Sequence, residues 1–143
     1  MTADCLPILL CNTAGTEVAA IHAGWRGLAA GVVSNAVKQF CSPATDLMAY
    51  FGPAISQQNF EVGPEVRQAF LSSSSHEHDS KFGDCNVDHW MADLYGLARI
   101  ALNQIGISQI YGGDLCSYAD AKRFYSYRRD GQTGRMASLI WIS

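Results

Sequence analysis

The chain of 143 residues has 48% hydrophobic and 16% charged side chains, a composition that excludes an intrinsically disordered protein and suits one domain with a buried core. Its net charge of −3, without a basic face, offers no electrostatic footprint for nucleic acid or an acidic membrane surface, so neither partner is expected. No apolar run is as long as a membrane span, and the five widely spaced cysteines include no CxxC pair; we therefore expect a soluble, cytoplasmic protein in a reducing compartment.

The first elements are two apolar runs, at residues 5–11 and 18–21, that flank a turn-forming N-T-A-G sequence and predict neighbouring strands. If they pair antiparallel, the start of the first lies beside the end of the second, and Cys5 and His22 share one site. The A-G-W-R-G sequence after His22 predicts a turn into a helix, where backbone N–H groups and Arg26 form an anion site. A thiol, an imidazole and an anion pocket together indicate a catalytic site.

The remaining elements follow from hydrophobic spacing. Helical periodicity predicts helices at residues 28–40, 64–71 and 87–105, the last ending at Gly106. Apolar runs predict strands at residues 47–51, 107–111 and 135–142, the last as a central strand, and an extended stretch at 124–127. Polar residues 72–84 predict an exposed, mobile loop, and residues 128–134 a hairpin loop. Two long helices against several strands, with no linker, predict one α+β domain over residues 1–143.

The pairing of Cys5 with His22 has three interpretations. Thiolate and imidazole are both zinc ligands, but a zinc site needs a third protein ligand from elsewhere in the fold. A Cys–His nucleophile pair needs only an orienting group, such as Asp4. Alternatively, Cys5 is a small core residue and His22 lies at a strand end, since free cysteine is often simply buried.

Three further groups of residues have less specific patterns. Four possible ligands match no known metal-site spacing, and a solvated loop is the preferred interpretation; they are His76, His78, Cys85 and His89. Cys116 follows a G-G-D break, and its reactivity depends on its exposure and pKa. Tyrosines, serines and arginines interleave over residues 125–135, which suits a nucleoside site and an ordinary amphipathic hairpin equally.

Five motifs in order resemble the YfiH family, the bacterial laccase-domain group also described as polyphenol oxidases and as purine nucleoside phosphorylases. They are TADCLPILL, HAGWRGL, FGPAI, FEVGPEV and FYSYRRDGQTGRMASLIW. The resemblance runs from Thr2 to the C-terminus but does not include residues 72–84, and Ser117 stands where the family commonly has threonine. It implies mixed β-sheets flanked by helices in α/β/β/α layers, with a metal bound by His, Cys and His.

The resemblance implies that Cys5 and His22 are two of these metal ligands. The third ligand belongs to an upstream Q-V-H-G motif that this sequence does not contain, so the chain resembles the C-terminal portion of the family domain. We expect the 143 residues alone to be inactive, with an exposed apolar surface that the missing N-terminal segment or self-association would cover.

The implied activity is zinc-dependent phosphorolysis of adenosine, inosine, guanosine and methylthioadenosine, together with deamination of adenosine. Its catalytic residues here would be Cys5, His22 and Arg26, with Arg26 as the phosphate anchor. Asp4 would be a hydrogen-bond partner that supports the metal ligands. The older implication is Cu²⁺-dependent oxidation of phenols, for which a chain with four histidines is poorly equipped. A metal-independent Cys–His hydrolase and a catalytically empty fragment are the alternatives.

Overall fold

Two β-sheets with flanking helices form the structure, a computed structural model that describes residues 1–71 and 76–143. In chain order the strands are β1 (Leu6–Asn12), β2 (Val18–Ala23), β3 (Leu47–Phe51), β4 (Glu61–Val62), β5 (Phe82–Asn86), β6 (His89–Ala92) and β7 (Gln109–Gly112). The helices are α1 (Trp25–Ala29), α2 (Val32–Val37), α3 (Pro64–Leu71), α4 (His76–Asp79), α5 (Leu94–Gln104) and α6 (Tyr127–Asp130). The predicted α+β class with mixed sheets and flanking helices is therefore confirmed.

The larger sheet has the strand order β2-β1-β3-β7, in which β1 is antiparallel to both neighbours and β3 is parallel to β7. Alternate residues of β1 and β3 are fully buried and join one apolar cluster with α5; they include Leu6, Ile8, Leu10, Ala49 and Phe51. On the opposite face, Leu9, Tyr50 and Tyr111 lie side by side in register, and both tyrosines are exposed. Because side chains alternate between the two faces of a strand, one face of the sheet is buried and the other is exposed.

The smaller sheet, β4-β6-β5, is antiparallel, and its strands β5 and β6 overlap sequence that we predicted to be loop and helix. The predicted loop at 72–84 is wrong where the structure describes it, because α4 and β5 lie there; residues 72–75 lie outside the described residues. The predicted helix at 87–105 begins only at Leu94. Asp88, with a φ of 58°, turns β5 into β6, and the Asp93 carboxylate accepts a hydrogen bond from Gly96 N at 2.9 Å, which caps α5.

The predicted helix at 28–40 is two short helices, α1 and α2. Gly31 lies between them with a φ of 79°, a left-handed conformation that interrupts an α-helix. The apolar spacing continues across this break, so periodicity alone does not reveal it. Gly106, in contrast, takes the predicted left-handed position after α5, with a φ of 92°.

The C-terminal segment differs most from its prediction. Residues 127–130 form one helical turn, α6, where an extended stretch and a hairpin loop were predicted, and the Ser126 hydroxyl caps it by accepting from Arg129 N at 3.2 Å. The predicted central strand at 135–142 is wrong: within the described residues, Met136 forms an isolated bridge with Thr2, and Leu139 and Trp141 are exposed. A strand requires a partner ladder as well as apolar alternation. No helix in the described parts of the chain is both long enough and apolar enough to cross a membrane.

Candidate functional site

The strand pairing brings Cys5 and His22 together. Strands β1 and β2 are antiparallel, with Leu6 opposite Ala23 and Pro7 opposite His22, so Cys5 lies just before β1 and close to Gly24. A Cβ atom at Gly24 would lie 3.0 Å from Cys5 Sγ and 3.8 Å from His22 Nε2, which places the thiol and the imidazole around one point. The absence of a side chain at Gly24 leaves that space open.

A cavity of about 440 Å³ lies at this point and is large enough for a small organic ligand. Its wall includes Cys5, His22 and three arginines: Arg26, close to His22 in sequence, and Arg128 and Arg135 from the C-terminal segment. Aromatic rings lie beside each guanidinium: Trp25 at 4.2 Å from Arg26, Phe60 at 5.4 Å from Arg128 and Tyr127 at 6.0 Å from Arg135. Cations beside ring faces suit a ligand with both an anionic and a planar part.

Asp4 fixes the segment that contains Cys5. Its carboxylate accepts hydrogen bonds from the Ser117 hydroxyl at 2.6 Å and from Arg128 N at 2.7 Å. Its own carbonyl accepts from Ile55 N at 3.0 Å, and its backbone has a φ of 84°, which is uncommon outside glycine. Asp4 was proposed as an orienting or supporting group for the Cys–His pair. Both of its carboxylate oxygens bind other partners, so it positions Cys5 through the backbone.

The protonation of Cys5 bears on the nucleophile interpretation. Burial raises the pKa of the Cys5 thiol, the Asp4 carboxylate raises it further, and the Arg135 guanidinium lowers it in part. Burial and the Asp4 carboxylate thus favour the neutral thiol over the thiolate. A metal-independent Cys–His hydrolase requires a thiolate, so the electrostatics of the site disfavour it.

Arg26 lies within α1, whose N-cap residue is Gly24. The helix has five residues, so its dipole is short and adds little to the predicted anion site. The guanidinium is exposed and stacks on Trp25, with no carboxylate within 4.0 Å among the described residues. Anion binding at this wall therefore depends on the Arg26 side chain.

The donor set for a metal is incomplete. In the parts of the chain that the structure describes, no group of three or more His, Cys, Asp or Glu side chains is arranged to hold a metal ion. Cys5 and His22 are donors that zinc prefers, but they are two where a zinc site needs at least three. Among the other four possible ligands, His78 is buried and stacks on Phe70, His89 lies in β6 near Glu61, and the side chain of His76 lies outside the described residues.

Cys116 is a second cysteine with a distinct environment. Its sulfur accepts hydrogen bonds from the Ser56 hydroxyl at 3.0 Å and from Ser56 N, Asn59 Nδ2 and Ala119 N at 3.4 Å each. Burial raises the pKa of this thiol, but the hydrogen bonds from Ser56 and from backbone amides outweigh it, so the pKa lies below its ordinary value. The sequence has no signal for the two Ser56 donors, because Ser56 is 60 residues away.

Known proteins resemble the chain along its whole length. A family profile described as multi-copper polyphenol oxidoreductase laccase matches residues 1–143. The purine nucleoside phosphorylase YfiH of Escherichia coli K12 is 52% identical over 99% of this chain and 58% of its own length. A purine nucleoside phosphorylase of Haemophilus influenzae is 47% identical over 99% of this chain and 59% of its own. A crystal structure from Neisseria meningitidis superposes with a TM-score of 0.96 at 51% identity, over 99% of this chain and 58% of that one. The chain thus spans a little over half the length of these relatives.

Proposed function

The chain belongs to the family described as multi-copper polyphenol oxidoreductase laccase, which includes the YfiH proteins, and from this membership we propose that it forms the phosphate- and nucleoside-binding part of a purine nucleoside phosphorylase. The observation that supports this most is the 440 Å³ cavity, where three arginines face the Cys5–His22 pair in a chain of net charge −3. Among the described residues, none of the three guanidinium groups has a carboxylate within 4.0 Å, so no ion pair within the chain neutralises their charge.

In the proposed reaction, an oxygen of hydrogen phosphate attacks C1′ of the nucleoside as the glycosidic C–N bond breaks. The electron pair of that bond leaves with the purine, and the proton of hydrogen phosphate ends on the base, which gives ribose 1-phosphate and free purine. Arg26 holds the phosphate through charge-assisted hydrogen bonds, and the rings that line the cavity stack on the base.

A zinc ion is part of this proposal, with Cys5 and His22 as two ligands and a third from outside the described residues. Zn²⁺ supplies Lewis acidity for a second reaction, the deamination of adenosine, in which water adds to the purine and ammonia leaves. Cu²⁺ and the oxidation of phenols, which the family description names, form the competing proposal. The two are separated by the metal that purifies with the protein and by the substrate that is consumed.

All five cysteines are free thiols, which supports the proposal that the protein works in the reducing cytoplasm. Adenosine, inosine, guanosine and methylthioadenosine are the proposed substrates, with phosphate as co-substrate.

The test measures metal content and phosphate-dependent release of hypoxanthine from inosine. Both are measured on the 143-residue chain and on the chain fused to the unmatched N-terminal part of the E. coli relative. We expect stoichiometric zinc and turnover in the fused form. Arg26→Gln should raise the phosphate KM roughly 10–100-fold, as expected for the loss of a charge-assisted hydrogen bond. Arg123→Gln, which removes a surface arginine paired with Asp120, is the matched control and should change nothing. Base release without phosphate, or an unchanged phosphate KM in Arg26→Gln, would contradict the proposal.

A further inference from the structure

Arg135 and Arg26 are far apart in sequence but line the same cavity. The isolated bridge between Thr2 and Met136 accounts for this, because Thr2 N donates to Met136 O at 2.9 Å and Met136 N donates to Thr2 O at 2.8 Å. Thr2 lies directly before the segment that contains Cys5. The bridge therefore holds the backbone next to Arg135 against the wall of the cavity that contains the thiol.

The guanidinium of Arg135 is held in place but not neutralised. Its Nη1 donates to the carbonyls of Thr133 at 2.8 Å and Gly134 at 2.9 Å, and its Cζ lies 6.0 Å from the centre of the Tyr127 ring. Among the described residues, its Nε and Nη2 have no hydrogen-bond acceptor, and no carboxylate lies within 4.0 Å of the group. The Nη1 group of the guanidinium therefore holds the side chain in place, and its Nε and Nη2 groups can donate to a ligand.

The other two arginines of the cavity differ from Arg135. Arg128 donates from Nη1 to Glu61 O at 2.7 Å and lies over Phe60, so its guanidinium is tied to β4. Arg26 lies on Trp25 without a hydrogen bond to the described residues. Arg26 and Arg135 therefore form two cation–aromatic pairs that enter the cavity from different parts of the chain.

We propose that Arg135 is a second anchor for the phosphate in this cavity and binds it together with Arg26. Near neutral pH, inorganic phosphate carries between one and two negative charges and has several acceptor oxygens, so two guanidinium forks match it better than one. The inference rests on the proposed function. It assigns a role to Arg135, which no local pattern in the sequence places beside Cys5.

The first measurement is binding of inorganic phosphate to the 143-residue chain by isothermal titration calorimetry. Arg135→Gln should weaken binding roughly 10–100-fold, because charge-assisted hydrogen bonds are lost. Arg135→Lys should lie between, since it keeps the charge without the fork, and it also serves if Arg135→Gln disturbs the Thr2–Met136 bridge. Arg123→Gln is the surface control and should bind as the wild type does.

The second measurement separates positioning from general structure. In the fused, active form, Arg135→Gln should raise the phosphate KM while the inosine KM and the thermal midpoint stay within experimental error. If phosphorolysis occurs and the phosphate KM is unchanged, the anchor is refuted and the proposed function stands. If phosphate binding depends on Arg135 but no nucleoside is cleaved, the anchor stands and the proposed function fails. If the wild-type chain binds no phosphate, the anchor is refuted.

Discussion

Replacing Asp4 by asparagine tests whether this buried carboxylate holds the site together. The carboxylate accepts from the fully buried Ser117 hydroxyl and from Arg128 N, and each hydrogen bond to a charged acceptor contributes about 1.5–3 kcal/mol. The amide of asparagine keeps one acceptor oxygen and turns an NH₂ donor toward the other partner. Asparagine tolerates the left-handed backbone, with its φ of 84°, as well as aspartate does, so backbone strain is unchanged. We expect a loss of about 3 kcal/mol in the free energy of unfolding.

The assay is urea and thermal unfolding at neutral pH, followed by circular dichroism. For a chain of this size, the loss corresponds to a fall in the thermal midpoint of roughly 10 °C. Asp120→Asn is the matched control, because this carboxylate pairs with Arg123 at the surface, where an ion pair contributes little, and its replacement should leave the stability nearly unchanged. If Asp4→Asn and Asp120→Asn lose the same small amount, Asp4 does not stabilise the site.

Three further predictions concern the reactivity of two cysteines, the loss of stability in acid and the space beside the Cys5 thiol. At pH 7 iodoacetamide should label Cys116 before Cys5, since the pKa of the first thiol is lowered and that of the second is raised; peptide mass spectrometry that finds the reverse order would contradict this assignment. A serine hydroxyl holds the pKa of Glu17 below its ordinary value, so its stabilising effect is present above the unfolded pKa near 4.5 and is lost as the pH falls through the lower folded pKa. Glu17→Gln should therefore reduce stability at pH 7 but not near pH 2, as unfolding in urea at each pH will show. Gly24→Ala places a Cβ 3.0 Å from Cys5 Sγ and should alter labelling of that thiol, whereas Gly27→Ala, with its nearest contact at 3.6 Å, should not; equal labelling rates in both variants would refute the close approach.

Local sequence predicts the hairpin that forms the centre of the site. The turn between β1 and β2 and the apolar runs on either side determine the register, and antiparallel geometry then places Cys5 near His22. The same reasoning predicts β3 and α3 with their observed bounds. In each case, the residues that decide the conformation are adjacent in sequence.

Prediction fails where distant or single residues decide the conformation. The positive φ of Gly31 breaks a helix whose apolar spacing continues, and Asp88 and Asp93 convert an apparent helical run into a hairpin and a capped helix. Met136 pairs with Thr2, which lies at the other end of the chain, so no local pattern could place Arg135 in the cavity.

The partners of the guanidinium groups inside and outside the cavity support the proposal that the cavity is an anion site. Of the four arginines outside it, three pair with carboxylates, Arg67 with Asp79, Arg123 with Asp120 and Arg129 with Asp130, whereas Arg99 donates to Gly112 O at 2.7 Å. Those inside it contact rings and carbonyl oxygens, which orient a guanidinium without cancelling its charge. Asp4 also lines the cavity, but both of its oxygens accept hydrogen bonds from Ser117 and the backbone of α6. Placing three guanidinium groups around one cavity costs electrostatic free energy, because like charges repel. A bound phosphate would offset that cost.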